Sequence, residues 1–115
     1  MKEAKGVPKK IYLLQRITVP RDLHDEFNQF WKEKALFVWE EQGAKLILAA
    51  TTFVGGPSAE ITHLFEFEDL HHWQRMQEAT WAWWEKEEGA GRGSPPKGLL
   101  RYVTNVEQKL LRGIY

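Results

Sequence analysis

The chain has 115 residues, a formal net charge of zero and no cysteine. This length suits one domain rather than two, and the neutral charge disfavours a nucleic-acid partner, which requires a basic face. The missing cysteines exclude disulfides and thiolate chemistry, and with no signal-peptide stretch and no apolar run near the roughly 18–20 residues of a membrane span, we expect a cytoplasmic protein with no membrane partner.

Apolar periodicity predicts six regular elements in a single domain at 10–110, between a flexible leader at 1–9 and a tail at 111–115. Runs of β-branched and apolar residues indicate strands, and apolar residues at helical spacing indicate helices. In chain order the elements are a strand at 9–19, a helix at 21–43, strands at 44–56 and 60–67, a helix at 70–88 and a strand at 99–111.

The first predicted helix has Asp22 as its N-cap and Gly43 as its stop. Its apolar stripe is Leu23, Phe27, Phe30, Lys34 or Ala35, and Val38, while Trp31, Phe37 and Trp39 fall off that stripe. The helix is therefore apolar over more of its circumference than one buried face needs, which indicates a second packing partner. The second helix is predicted to begin at an Asp69 cap.

The order β-α-β-β-α-β is typical of the α+β ferredoxin-like fold, with one four-stranded antiparallel sheet and both helices on one face. The strands are apolar on more than one row, so the other face also has to be covered. Pairing the sheets of two chains face to face would cover it. The sequence therefore predicts a homodimer.

The first predicted strand contains "IYLLQRITV", and the middle of the chain contains "GAKLIL" followed by "VGGPSAEITHLFEFEDL". These segments resemble the opening strand and the middle of the NIPSNAP-like proteins of the dimeric α/β-barrel superfamily. The resemblance covers about Ile11 to Val106. It departs at Gln15, where relatives often carry Arg, at Leu13, where they often carry an acid, and in "ILAATTF", which lacks a frequent Trp.

The resemblance implies a small-molecule pocket, between sheet and helices or inside the barrel, without specifying a reaction. The superfamily includes cofactor-free monooxygenases, polyketide cyclases and heme-degrading monooxygenases. Heme degraders carry Asn in the first strand and Trp at the end of the third, where this chain has Gln15 and Phe67. Heme chemistry is therefore disfavoured, and we expect no cofactor.

Three of the four histidines lie between residues 60 and 73, yet their spacing matches no metal signature. His71 and His72 are adjacent on a helix, and a structural role is expected for both. His63 interrupts an apolar strand row, as Gln15 does in the first strand. If both rows face the same side, an amide and an imidazole converge in an apolar chamber, where burial would lower the pKa of His63 and keep it neutral. The alternative is a structural core histidine.

His63 and Gln15 are thus the candidate catalytic residues. The candidate substrate-binding residues are aromatic or able to position a carbonyl or anion: Tyr12, Phe65, Phe67, Trp73, Trp81, Trp84, Arg101 and Tyr102. Core packing is the competing explanation for the aromatic stripe of the second helix. The Gly- and Pro-rich segment 89–98 is predicted to be a loop, and a lid over the pocket is one hypothesis for it.

These features favour a cofactor-independent enzyme that acts on a hydrophobic, aromatic or polyketide-like substrate by acid–base chemistry at His63. Cyclisation, isomerisation, dehydration and oxygenation all stay open. The alternatives are a module that binds such a molecule without transforming it, and an interaction protein whose aromatic surface is an interface.

Overall fold

A computed structural model describes residues 9–56, 59–88 and 97–114 of this protein. The strands are β1 Ile11–Thr18, β2 Lys45–Thr51, β3 Glu60–Phe67 and β4 Asn105–Arg112. The helical segments are a 3-10 turn Arg21–Leu23, α1 His24–Trp31, a π-helical turn Lys32–Leu36, α2 Phe37–Glu41, α3 Leu70–Glu88 and α4 Lys97–Leu100. The predicted β-α-β-β-α-β order and ferredoxin-like fold are confirmed.

The four strands form one antiparallel sheet in the order β2-β3-β1-β4, so β1 and β3 are the central pair. Side chains alternate between the two faces, as a strand requires. The row of β1 that begins at Ile11 and the row of β3 that begins at Ile61 are buried, whereas the intervening residues are half-buried or exposed. The helices therefore cover one face of the sheet.

The core lies between that face and the helices. Its fully buried large side chains come from both layers: Leu13, Val19, Phe27, Phe65, Phe67 and Met76. Leu13 and Phe65 are cross-strand partners in the β1–β3 register. The central strands and the helices thus share one apolar interior, which stabilises the fold and shields polar side chains placed in it.

The first helix is where the structure most changes the sequence-based interpretation. Trp31 and Trp39, predicted to lie off the buried stripe, are buried at 7% and 4% exposure. The buried positions are Phe27, Trp31, Ala35, Val38 and Trp39, and the first three are spaced by four residues, whereas an α-helix turns every 3.6. The wider π-helical turn absorbs the difference. Both indoles therefore pack inside this chain and need no second partner.

The ends of the first helix differ in how they match the predictions. Asp22 is not an N-cap, because a 3-10 turn without a side-chain cap begins after Pro20. Gly43 is confirmed as the stop, with a φ of +89° that suits glycine. The Asp69 cap of α3 is also confirmed, since the His72 N–H donates to Asp69 Oδ1 at 2.8 Å.

The predicted fourth strand begins too early. Residues 99–104 include the end of α4 and a turn in which the N–H groups of Tyr102 and Val103 both donate to the Leu99 carbonyl. In an apolar run this short, hydrophobic periodicity does not distinguish a helix from a strand. The packing of Leu99 and Tyr102 into the core therefore determines the conformation of this segment. The strand starts at Asn105 and continues to Arg112, within the predicted tail.

Two other boundaries concern the predicted loops and leader. β2 ends at Thr51, five residues before the predicted end at Gly56. Residues 1–8 of the predicted leader and 89–96 of the predicted loop lie outside the described residues. The last two residues of that loop, Lys97 and Gly98, belong to α4 instead. None of the helices in the described ranges combines the length and hydropathy needed to cross a bilayer.

Candidate functional site

A polar row crosses the helix-covered face of the sheet. Gln15 in β1 is the register partner of His63 in β3 on one side and of Gln108 in β4 on the other. Neighbours in such a row have their Cβ atoms about 4.5–5.5 Å apart, close enough for their side chains to meet. Gln15 and His63 are only 3% and 2% exposed. The predicted convergence of an amide and an imidazole in an apolar interior is present.

The three side chains form a continuous hydrogen-bond chain. Gln108 Nε2 donates to Gln15 Oε1 at 2.8 Å, and Gln15 Nε2 lies 3.1 Å from His63 Nδ1. In this forward arrangement the Gln15 amide donates to Nδ1, so the neutral imidazole carries its proton on Nε2. Each glutamine holds a donor and an acceptor at equivalent positions. Turning both amides over gives a reverse arrangement, in which His63 Nδ1–H donates to Gln15.

Burial lowers the pKa of His63 from 6.5 to about 4, because the charged form loses its hydration. The ring stacks on the Trp31 indole with a centroid distance of 5.0 Å and an interplanar angle of 26°. It also meets Phe65 edge-on at 6.1 Å. These aromatic neighbours offer no countercharge, so His63 is neutral at pH 7.

Two cavities lie against this face of the sheet, one on each side of Trp31, which lines both. One cavity, here called the tryptophan cavity, has a volume of about 520 Å³ and includes the two glutamines of the hydrogen-bond chain. It is lined by Gln15, Gln108, Trp31, Trp39, Trp81 and Trp84, among others. The histidine cavity, of about 510 Å³, is lined by His63, Asn28, Lys32, Leu36, Ala49 and Thr51, among others. Gln15 and His63 therefore touch each other but open into different cavities.

The contacts of His63 determine which of its nitrogens is available. Nδ1 is held by Gln15, and Nε2 has no hydrogen-bond partner among the residues that the structure describes. His63 lines the histidine cavity, and Nε2 is its nitrogen that Gln15 does not hold. Asn28 and Lys32, one helical turn apart, add an amide and an ammonium group to the same cavity.

Two of the tryptophans that line the tryptophan cavity have indole N–H groups that are themselves inaccessible. The indole N–H groups of Trp31 and Trp39 are buried and find no acceptor within the described part of the chain. Such groups usually have a partner when buried, and leaving one without costs about 1–3 kcal/mol. Trp73 has a third unpartnered indole N–H but lines neither cavity.

Of the predicted substrate-binding residues, Trp81 and Trp84 line the tryptophan cavity. Phe65 and Phe67 are fully buried in the core and line neither cavity. Trp73 is half-buried against that core. The structure therefore brings two of these five aromatic residues to a cavity.

The remaining three candidates lie elsewhere. Tyr12 is on the open face of the sheet, where its hydroxyl donates to Glu66 Oε2 at 3.2 Å and its pKa is raised by burial and by that carboxylate. Tyr102 is buried, with its hydroxyl 3.5 Å from Glu26 Oε2. Arg101 is exposed. None of the three lines either cavity.

The other histidines have structural contacts. His72 accepts the Glu68 N–H at Nδ1 and donates from Nε2 to the Gln42 carbonyl at 2.7 Å, which ties α3 to the end of α2. His24 Nε2 donates to the Val19 carbonyl at 2.8 Å. His71 is exposed. Within the described ranges, no cluster of three or more histidine and carboxylate side chains could hold a metal ion.

Sequence reasoning missed Gln108, Trp31, Trp39, Asn28 and Lys32. Gln108 carries the same signal as Gln15, since it interrupts the row formed by Val106 and Leu110, which also lies within the predicted strand. The two tryptophans were assigned to the wrong side because the π-helical turn was not anticipated. Asn28 and Lys32 have no distinguishing sequence signal.

No sequence family and no curated protein sequence matches this chain. Its fold is shared by solved structures. A NIPSNAP-like domain protein from Burkholderia xenovorans superposes with a TM-score of 0.70 at 19% identity, over 90% of this chain and 84% of that one. A dimeric ferredoxin-like protein from an uncultured marine organism gives 0.65 at 15% identity, over 93% and 90%.

A third similar structure has a stated activity. SnoaB, a cofactor-independent oxygenase from Streptomyces nogalater, gives a TM-score of 0.62 at 12% identity, over 93% of this chain and 95% of that one. Identities this low establish a common fold and nothing about chemistry. The fold is therefore the one found in NIPSNAP-like and dimeric ferredoxin-like proteins.

Proposed function

We propose that this chain is a cofactor-independent enzyme that acts on a hydrophobic, aromatic or polyketide-like small molecule by acid–base chemistry at His63. The observation that carries the proposal is the neutral, buried imidazole of His63, which lines a largely apolar cavity. Such walls with a few placed polar groups are typical of small-molecule sites. A cofactor-independent oxygenase is among the proteins that share this fold.

The hydrogen-bond chain allows His63 to act either as a hydrogen-bond donor or as a base. In the forward arrangement the neutral imidazole donates a hydrogen bond from Nε2–H to a substrate oxygen. In the reverse arrangement Nε2 carries a lone pair and takes a proton from a substrate C–H or O–H bond, whose electron pair stays on the substrate as an enolate or phenolate. Gln15 acts as a positioning residue, because its amide accepts Nδ1–H and stabilises the imidazolium that forms.

Asn28 and Lys32 are suited to stabilise the substrate oxygen that becomes negative in the enolate or phenolate. Both line the histidine cavity with His63, and both supply N–H donors. Donors placed where charge develops stabilise a transition state more than a ground state. An enolisable or phenolic group is thus the part of the substrate that belongs in this cavity.

The specific observation that favours a binding module instead is the same low pKa. A base whose conjugate acid has a pKa of about 4 is weaker than the optimum near the operating pH. In that alternative the cavity holds its ligand by apolar contact and by hydrogen bonds to His63, Asn28 and Lys32, without turnover.

We also propose that the functional unit is a cytoplasmic homodimer that pairs through the open face of the sheet. Leu14, Leu64 and Leu48 lie side by side across three strands on that face. The dimeric ferredoxin-like neighbour supports this assembly. We further propose a single domain that starts at residue 10 and extends to the end of β4 at Arg112, two residues beyond the predicted end at 110.

Turnover of a panel of polycyclic aromatic ketones and phenols, followed by mass spectrometry, tests the enzyme proposal. We expect His63→Gln to lower kcat by roughly 100- to 10,000-fold, the range for a placed proton-transfer group. Far-UV circular dichroism checks that the variant folds. His71→Gln, at an exposed histidine, is the matched control and should retain full activity.

Two results would oppose catalysis at His63. A folded His63→Gln protein with wild-type turnover would remove the residue from the mechanism. Saturable binding of panel members with no product would favour the binding module.

A further inference from the structure

We propose that Gln108 is a positioning residue for His63: from the edge of the sheet it orients the Gln15 amide and thereby determines which ring nitrogen of His63 carries the proton. The role of Gln108 stands on the geometry of the hydrogen-bond chain alone. Its consequence for turnover rests on the proposed function of His63.

The hydrogen-bond chain runs from solvent into the core. Gln108 is exposed on β4, an edge strand of the sheet, whereas Gln15 and His63 are only 3% and 2% exposed. Among the described residues, the Gln15 side chain bonds to these two neighbours only, at 2.8 Å and 3.1 Å. Gln108 is therefore the one member of the chain whose chemistry can change without repacking the interior.

The Gln15 amide transmits the character of one neighbour to the other. It presents its carbonyl to one side and its amino group to the opposite side. When position 108 donates, the carbonyl of Gln15 turns toward it and the amino group turns toward His63, so Nδ1 has to accept and the proton lies on Nε2. When position 108 accepts, the amide turns over, Nδ1–H donates to the Gln15 carbonyl, and Nε2 is left bare.

The other contacts of His63 do not oppose this control. The ring packs against Trp31 and Phe65, which offer aromatic surfaces rather than a hydrogen-bond partner for either nitrogen. Within the described ranges, the bond between Nδ1 and Gln15 is the one hydrogen bond of the imidazole. A mismatched tautomer would place two donors or two acceptors face to face in a buried site, which is unfavourable by about one net hydrogen bond.

Long-range ¹H–¹⁵N NMR at pH 7 tests the control, because it tells a protonated ring nitrogen from a bare one. We expect the Nε2–H tautomer in the wild type. The carboxylate of Gln108→Glu can only accept and should shift the tautomer ratio about tenfold or more toward Nδ1–H. The ammonium of Gln108→Lys can only donate and should keep the proton on Nε2.

Two controls separate the hydrogen bond from the added charge. Lys109→Gln changes the net charge by the same amount as Gln108→Glu, but position 109 is the register partner of Leu14 on the opposite face, so the wild-type tautomer should persist. Gln15→Met removes the amide that transmits the signal. In that background Gln108→Glu and Gln108→Lys should have the same tautomer.

The same His63 tautomer in Gln108→Glu and Gln108→Lys would overturn the proposal. A shift in Lys109→Gln as large as that in Gln108→Glu would also overturn it, since charge alone would then explain the change. These measurements require no turnover, so they fail or succeed independently of the enzyme proposal.

Turnover gives the catalytic consequence. If His63 takes a proton at Nε2, Gln108→Glu should have a kcat about tenfold or more above that of Gln108→Lys, because only the bare nitrogen is a base. If His63 acts by donating a hydrogen bond from Nε2–H, the order of the two variants should be reversed. Equal kcat values in the presence of different tautomers would remove Gln108 from the mechanism while leaving its control of the proton intact.

Discussion

At the residue scale, His63 shows how burial and one hydrogen bond define the state of an imidazole. The Trp31 face and the sheet remove water from the ring, so the neutral form is favoured and the pKa falls to about 4. The Gln15 amide then decides which nitrogen bears the proton. His63 is therefore a neutral imidazole whose orientation is set by the hydrogen bond between Nδ1 and Gln15.

The pKa of His63 predicts how stability depends on pH. Its folded-state pKa lies below the unfolded value of 6.5, so the unfolded chain binds more protons between pH 4 and 6.5. The stability is fully present above pH 6.5 and is lost as the pH falls toward 4. We expect the free energy of unfolding to drop by an amount on the order of 3 kcal/mol over this range from His63 alone.

Urea unfolding of the wild type and His63→Phe across this pH range measures that contribution as a difference. His71→Phe, at an exposed position, should keep the wild-type slope. Parallel curves for the wild type and His63→Phe would show that His63 is not buried in its neutral form.

At the element scale, the first helix decides how the site is enclosed. Each step of four residues drifts by about 40° around a regular α-helix, and the wider π-helical turn at Lys32–Leu36 reduces that drift between Trp31 and Trp39. Trp31 then separates the two cavities, and Trp39 closes one of them. The helix ends abruptly at Gly43, against the imidazole of His72.

Gly43→Ala should lower the free energy of unfolding by about 1–3 kcal/mol. The φ of +89° is unfavourable for alanine, and the new Cβ would lie 3.0 Å from His72 Nε2, which is held by its bond to the Gln42 carbonyl. Urea denaturation measures the change. Gly56→Ala is the control, because its Cβ would meet its nearest neighbour at 3.5 Å. Equal stability of the two variants would contradict the role of Gly43.

At the scale of the whole molecule, the sheet has one face covered by helices and one face left open. Leu48 and Leu111, on the open side, are 48% and 38% exposed. Apolar side chains at the centre of an open sheet favour association with a second surface. A twofold pairing is self-complementary, so the same leucines would meet their own copies.

Leu64→Lys should convert the proposed dimer into a monomer, because it places a charge at the centre of the open face without touching the cavities. Light scattering coupled to size exclusion should change from twice 13.5 kDa to that mass itself. Ala82→Lys, at an exposed position on α3, should leave the dimer intact. A monomeric wild type, or a dimeric Leu64→Lys protein, would contradict the proposed interface.

The amino-acid sequence by itself determined the local features of this protein. The periods of its apolar residues defined the β-α-β-β-α-β order, and the limits of β3 and α3 followed from turn and cap residues. Gln15 and His63 were recognisable because each interrupts an apolar row. Their burial, and with it the direction of the His63 pKa shift, followed from the composition of those rows.

Only the tertiary structure decided what surrounds them. Gln15, His63 and Gln108 meet through strand pairing between residues 48 and 93 positions apart, and no local pattern encodes that register. The π-helical turn places Trp31 between two cavities where the sequence suggested one chamber. Local periodicity specifies which side chains are buried, whereas long-range packing specifies which of them meet.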